Sequence, residues 1–204
     1  AIIPHLHGLS ETAAAIGAVN TIQFREGQLI GHNTDVIGFR DSIAQVYAGV
    51  PGGKALILGK GGSAKAVRYA LEHYGGFDEI WNASRTPEGD FDLGYDLLKT
   101  QGLQAYRLIV NCTPVGMAPH EEGRPDLPYD TLAGESLVFD LIYNPGETQL
   151  LKIAKAHGCA TSNGMDMLIR QAEASWEIWM QTAGQPGISP GFSSHSAQPP
   201  RSSP

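Results

Sequence analysis

The sequence predicts an α/β protein built on a parallel sheet with crossover connections, and three observations predict it. A buried-strand run, Lys54-Ala-Leu-Ile-Leu58, enters a glycine-rich turn and then a segment of helical period from Ser63 to Tyr74. Further short apolar runs at 79–83, 108–111 and 137–141 alternate with helical or turn-rich stretches, as strands joined by crossovers do. The 204 residues are 42% hydrophobic and 17% charged, enough to bury a full core in the ordinary manner of a globular chain.

The elements follow in chain order. Residues 11–16, Glu-Thr-Ala-Ala-Ala-Ile, are strong helix formers behind a Ser10 N-cap, and Gly17 ends them before a strand over Ala18-Val19-Asn20-Thr21-Ile22. Glu26-Gly27 supplies a hairpin turn that returns the chain along Gln28-Leu29-Ile30-Gly31. Val36, Phe39, Ile43 and Val46 recur at helical period and stop before Gly49, Pro51, Gly52 and Gly53, so a domain boundary is expected near that helix. After the strand and helix at 54–74, with Ala64, Val67, Leu71 and Tyr74 on one face, the final helix is expected over 165–181, its apolar stripe being Leu168, Ala172, Trp176 and Trp179. Residues 184–204 are almost wholly Gly, Pro, Ser, Gln and small residues, and such a composition is expected to form a disordered tail.

Composition also excludes function classes. A net charge of −7, with 14 Lys and Arg that form no block, opposes a nucleic-acid backbone. No run approaches the roughly 18 apolar residues of a membrane span, and the first residues do not read as a signal peptide. Cys112 and Cys159 lack metal-ligand spacing and fit reduced thiols, so no metal is expected and the setting is expected to be cytoplasmic. The chain opens on Ala1 without an initiator Met.

Gly59-Lys60-Gly61-Gly62-Ser63-Ala64-Lys65-Ala66 lies between a strand and a helix, the context that gives a glycine-rich match its meaning. Gly59 permits the tight turn, Gly61 and Gly62 let the backbone approach a pyrophosphate, and Ala66 lets the helix pack closely on its strand. With Ser63 the helix then offers free N–H groups to phosphate, the arrangement of a Rossmann-type dinucleotide site. The second strand ends Asn82-Ala83-Ser84-Arg85-Thr86 without the acid that would bind a 2′-hydroxyl. Arg85 suits a 2′-phosphate instead, so NADP is favoured over NAD.

Five further segments occur in one order. They are Ala18-Val19-Asn20-Thr21, Gly31-His32-Asn33-Thr34-Asp35-Val36-Ile37-Gly38-Phe39, Asn111-Cys112-Thr113-Pro114-Val115-Gly116-Met117, Asp140-Leu141-Ile142-Tyr143-Asn144-Pro145 with Thr148, and Asn163-Gly164-Met165-Asp166-Met167 running on to Gln171-Ala172. Over residues 1–182 the chain resembles the shikimate dehydrogenase family. The resemblance implies reversible NADPH-dependent reduction of 3-dehydroshikimate to shikimate, a step of aromatic amino acid biosynthesis, by a monomer or homodimer. It also implies a domain map: 1–40, the second half of a small α/β substrate domain; 41–164, a Rossmann-type NADP domain; 165–183, a helix returning to the substrate domain; and 184–204, the tail.

Roles follow from the same resemblance. Asp35 matches the family's catalytic Asp, although a carboxylate at a helix start also suits an N-cap. Asn20, Gln171 and Tyr143 match substrate contacts, amides being able to give and accept bonds with a polyol. Asn33 can instead close a turn. Thr113, Gly164 and Met167 resemble residues that border the nicotinamide, and Ser84, Arg85 and Thr86 stand where the family has its Asn-Arg-Thr phosphate clamp.

Two departures set further expectations. The family's Lys in N-V-T-x-P-x-K and its carboxylate-binding serine pair are not in these 204 residues, and Lys54, Lys60 and Lys65 do not match that motif. The polypeptide alone is therefore expected to be nearly inactive, and ordinary turnover by it would refute this. The clamp reads Ser84-Arg85-Thr86-Pro87-Glu88-Gly89, so its usual second base is missing and an acid stands nearby. A quinate/shikimate dehydrogenase and a noncatalytic dinucleotide-binding module are the alternative readings. The reading frame upstream of Ala1 separates the enzyme from the module.

Overall fold

A computed structural model of the chain describes residues 2–47 and 52–181. Among these residues there are two sheets. The smaller has three strands, β1 (Gly8–Leu9), β2 (Thr21–Arg25) and β3 (Gln28–His32), in the order β1-β3-β2. The expected strand at 18–22 is shifted toward the hairpin, because pairing of Thr21 with His32 through Arg25 with Gln28 is set by the two-residue turn. Glu26 and Gly27 both take positive φ, 51° and 79°, the twist that joins antiparallel strands without splaying them. Between β1 and β2 lies α1 (Glu11–Ile16), capped by the Ser10 hydroxyl accepting from Ala13 N at 3.2 Å and closed by Gly17 at φ 68°.

The larger sheet is wholly parallel. Its strands are β4 (Lys54–Leu58), β5 (Glu79–Ser84), β6 (Asp92–Gly94), β7 (Tyr106–Asn111), β8 (Leu137–Asp140) and β9 (Ala160–Ser162), ordered β6-β5-β4-β7-β8-β9. Counted from β4 this is 3-2-1-4-5-6, the doubly wound dinucleotide-binding order. The connections include α3 (Gly62–Ala70), α4 (Tyr95–Gln101) and α5 (Gln149–Ala156). Along β4 the side chains alternate between two cores: Ala55 and Ile57 join Ala66 and Val67 of α3, while Leu56 and Leu58 join Leu98 of α4 and Leu150 of α5. Covering both faces is what an all-parallel sheet requires.

Two helices tie the sheets together. Helix α2 (Asp35–Val46) follows the small sheet, and Phe39 meets Phe139 of β8 edge to face, with ring centroids 5.3 Å apart. Helix α6 (Met165–Met180) follows the large sheet and packs along α2. The crossing is close: a Cβ on Gly38 would stand 2.8 Å from the Met167 carbonyl oxygen and 2.9 Å from Gln171 Cβ. The 40/41 boundary in the sequence map falls inside α2.

Three expectations are corrected. The buried face of α6 is Met167, Ala174 and Ser175, whereas Trp176 and Trp179 are exposed. The reason is that α6 docks on the polar inner side of β2, where Gln23 Nε2 donates to Ile178 O at 2.7 Å and Thr21 meets Ser175; an apolar count does not see that partner. Helix α3 ends at Ala70 and passes into a wider π-turn over Leu71–Gly75, which leaves Tyr74 exposed rather than on the buried face. Asp35 is the first residue of α2 and not its cap. The Gly49–Pro51 breaker and the 184–204 tail lie outside the described residues. Among the described residues no helix is long and apolar enough to cross a membrane, and no group of three or more metal-ligating side chains forms.

Candidate functional site

The strand order reverses between β4 and β7, and the C-terminal ends of these strands open a crevice where open α/β sheets take ligands. Gly59 leaves β4 at φ 109°, with its N–H donating to Ala83 O at 2.8 Å. A side chain there would be strained by that backbone and would meet Cys112 O at 3.4 Å. The loop is pinned from the other side as well, since Asn82 Nδ2 donates to Gly59 O at 2.9 Å and Arg68 Nε donates to Asn82 Oδ1 at 2.7 Å. Helix α3 begins at Gly62, a Cβ on Gly61 would meet nothing within 4 Å, and Ala66 is fully buried against the sheet. A bare amide turn over open space at a helix N-terminus fits a pyrophosphate.

A cleft of about 450 Å³ continues from this turn, lined by Ser63, Thr113, Met117, Ile142 and Tyr143 among others. Cys112 lies in its wall, and burial, followed by the charges of Asp140 and Asp35, pushes its thiol well above the usual range. A neutral thiol there is a wall and not a nucleophile.

Next to the turn the two helix starts and the small sheet bring the predicted polar residues together. A Cβ on Gly62 would touch that of Ala18 at 3.5 Å, which sets the start of α3 against the Ala18–Thr21 segment. Asn20 Nδ2 donates to Asp35 Oδ1 at 2.8 Å and to Thr34 Oγ1 at 3.0 Å, while Asn20 Oδ1 accepts from Thr34 N at 2.9 Å. Thr34 Oγ1 lies 3.4 Å from Gln171 Oε1, and Gln171 Nε2 donates to Leu168 O at 3.0 Å. The half-buried Asp35 carboxyl is raised above its ordinary range by burial, opposed by hydrogen bonds from Asn20 and Ser63. Ser63, the second residue of α3, lines the cleft.

The other predicted residues divide. Tyr143 lines the cleft and is exposed. Thr113 also lines it, its N–H and hydroxyl both donating to Asn111 Oδ1, at 3.0 and 2.7 Å. Gly164 is buried where β8 ends, its N–H donating to Ile142 O at 3.1 Å. Met167 lies in the core with Phe39 and Phe139. Asn33 is buried and donates to Ala18 O at 3.2 Å, a bond across the strand ends and not the local bond of a turn. Ser84 ends β5 with a buried hydroxyl that has no partner among the described residues, and Arg85 and Thr86 follow it exposed.

Three contributors do not stand out in the sequence. Thr34 is fully buried at the centre of the cluster, and Ser175 bridges it to β2 with contacts of 3.0 Å to Thr34 Oγ1 and 2.6 Å to Thr21 Oγ1. The position of Ser175, four residues after Gln171 and so on the same helix face, is the available signal. Lys60, inside the glycine turn, donates from Nζ to Thr86 O at 2.8 Å, and a long cation in such a turn is itself a signal.

No protein-family model matches the chain. Its sequence is 37% identical over 202 residues to the shikimate dehydrogenase (NADP(+)) of Carboxydothermus hydrogenoformans, covering 93% of this chain and 69% of that protein. Its structure is similar to that of the shikimate 5-dehydrogenase of Thermus thermophilus in complex with NADP(H) and shikimate, with a TM-score of 0.74 and 34% identity over 88% of this chain and 68% of that one. It is similar also to the quinate dehydrogenase of Corynebacterium glutamicum in complex with NAD, with a TM-score of 0.76 and 30% identity over the same shares.

Proposed function

We infer, from the premise that this chain belongs to the shikimate dehydrogenase family, that it takes part in the reversible interconversion of 3-dehydroshikimate and shikimate with NADP(H). The observation that carries the reading is the Asn20–Asp35 bond of 2.8 Å set against the start of α3, where a Cβ on Gly62 would touch that of Ala18 at 3.5 Å. When bound, NADPH supplies a hydride to the ring carbonyl carbon. The chain's own residues must then hold the ring and manage the proton at the carbonyl oxygen.

Asp35 suits the second task. A carboxyl held above its ordinary range by burial sits nearer the point at which it can share a proton with a hydroxyl. Asn20 fixes which way that carboxyl points, through the 2.8 Å bond. Gln171 has one N–H uncommitted among the described residues and can donate it to a ring hydroxyl, and Tyr143 offers its phenol from the cleft lining. Gly59, Gly61, Gly62 and Ser63 would hold the pyrophosphate, Thr113 and Gly164 would border the nicotinamide with Met167 packed behind, and Ser84, Arg85 and Thr86 would take the adenosine phosphate. Cys112 and Cys159 are both free thiols, in keeping with the cytoplasmic setting this reading carries.

The test is oxidation of shikimate with NADP(+), followed through the near-ultraviolet absorbance of the reduced nicotinamide, using protein expressed from its complete reading frame. Turnover with shikimate is expected; turnover with quinate alone would move the chain to the alternative substrate. Cofactor choice is read separately by NADPH and NADH fluorescence titration. Arg85→Ala is expected to weaken NADPH roughly tenfold, the scale of one charge-assisted bond, and to leave NADH nearly unchanged. Equal losses for both would show that Arg85 does not read the 2′-phosphate.

A further inference from the structure

The loop after β5 has one arginine and then an acid, where two bases would be expected for a doubly charged phosphate. A base reaches this loop from the phosphate turn. Lys60, the second residue of the phosphate turn, reaches across so that its Nζ donates to Thr86 O at 2.8 Å and to Glu88 Oε2 at 2.9 Å. Its ammonium therefore stands over the loop that carries Arg85, within hydrogen-bond distance of the very next residue. An ammonium has three donors, and only two are committed among the described residues. The buried, unpartnered Ser84 hydroxyl lies at the root of the same loop and adds a group with an unfilled hydrogen bond.

We propose that Lys60 is the second cation of the 2′-phosphate site, facing Arg85 across it, and that Glu88 is a resident counter-ion which the incoming phosphate displaces. The inference rests on the NADP reading above and deepens it. Both members of the Lys60–Glu88 pair are exposed, with side chains 40% and 79% accessible, so the pair is weakly held and its exchange costs little. The same bond holds the Glu88 carboxyl below its ordinary range, so Glu88 is an anion at neutral pH and competes as one. Asp92, whose carboxylate accepts from Glu88 N at 2.9 Å, keeps the acid's backbone in place. A 2′-hydroxyl has no charge with which to replace Glu88, so the exchange discriminates between the two dinucleotides rather than strengthening both.

The probes are 2′,5′-ADP and 5′-AMP, which differ by the phosphate in question, titrated by calorimetry against the full chain, with a thermal melt to confirm that each variant is folded. The parent is expected to prefer 2′,5′-ADP. Lys60→Met, which keeps the aliphatic stem, is expected to weaken 2′,5′-ADP roughly tenfold and 5′-AMP by less than about twofold. Lys60→Arg is expected to restore most of the loss, and Glu88→Gln to tighten 2′,5′-ADP by roughly threefold while leaving 5′-AMP alone. The preference should also narrow as salt is raised. If Lys60→Met weakens both probes alike, or neither, the assignment of Lys60 is overturned while the NADP reading stands on Arg85. If the parent binds the two probes equally, the NADP reading falls and takes Lys60 with it.

Discussion

Replacing Gly164 with alanine is expected to cost the fold about 3 kcal/mol or more, the upper range for forcing a methyl into packed protein. Gly164 has an ordinary negative φ of −80°, so the effect is steric and not conformational. An added Cβ would overlap the backbone carbonyl oxygen of Leu141 and crowd its carbonyl carbon, and neither is the yielding tip of a side chain. Relief requires the start of α6 to move away from the end of β8, breaking the Gly164 N–H bond to Ile142 O. For a domain of this size 1 kcal/mol moves the melting temperature by roughly 2–4 °C, so a fall of roughly 6–12 °C is expected in a thermal melt. A variant melting within about 2 °C of the parent would show that the contact is easily relaxed. Because Leu141, Ile142 and Tyr143 line the cleft, dinucleotide affinity is expected to fall as well.

Asp35→Asn is expected to do the reverse, abolishing function while sparing the fold. Loss of a group that holds a proton at the reacting oxygen costs roughly 10²- to 10⁴-fold in turnover, measured as kcat on protein from the complete reading frame. Stability runs the other way because burial holds the folded carboxyl above its ordinary 3.8. Between that value and the raised one, the native state binds more proton than the unfolded chain, so stability falls as pH rises through the window. Above the window the charged Asp35 is a net cost, which asparagine removes. At neutral pH the variant should therefore melt at or above the parent's temperature, and the difference should close as pH falls through the window to the ordinary carboxylate range. A clearly lower melting temperature at neutral pH would mean that the bonds from Asn20 and Ser63 outweigh burial.

Much of this is legible in the residues because the signals are local. Ser10 and Gly17 frame a short helix, Glu26-Gly27 dictates a hairpin register, and the run from Lys54 to Ala66 announces strand, turn and helix in order. The bond between Asn20 and Asp35, with Gln171 joined to them through Thr34, is reached only through resemblance, since no spacing rule brings residue 20 beside residue 35. What the residues do not announce depends on partners. The face of α6 differs from its apolar stripe because its partner strand presents Thr21 and Gln23, polar groups that hydrogen bond instead of packing, and the reach of Lys60 is hidden because its destination lies 26 residues away in the chain. Periodicity measures how apolar a face is; it does not measure what the face meets.

The absent side chain at Gly38 has its own consequence for how this protein can change over generations. Two helices that approach until one backbone fills the other's Cβ position leave no intermediate sequence through which a larger residue could be introduced there. The far side of α6, with Ile169 and Trp176 exposed, carries no such restriction from α2. Divergence should therefore gather on that outer surface, while the inner seam between the helices stays closed to it.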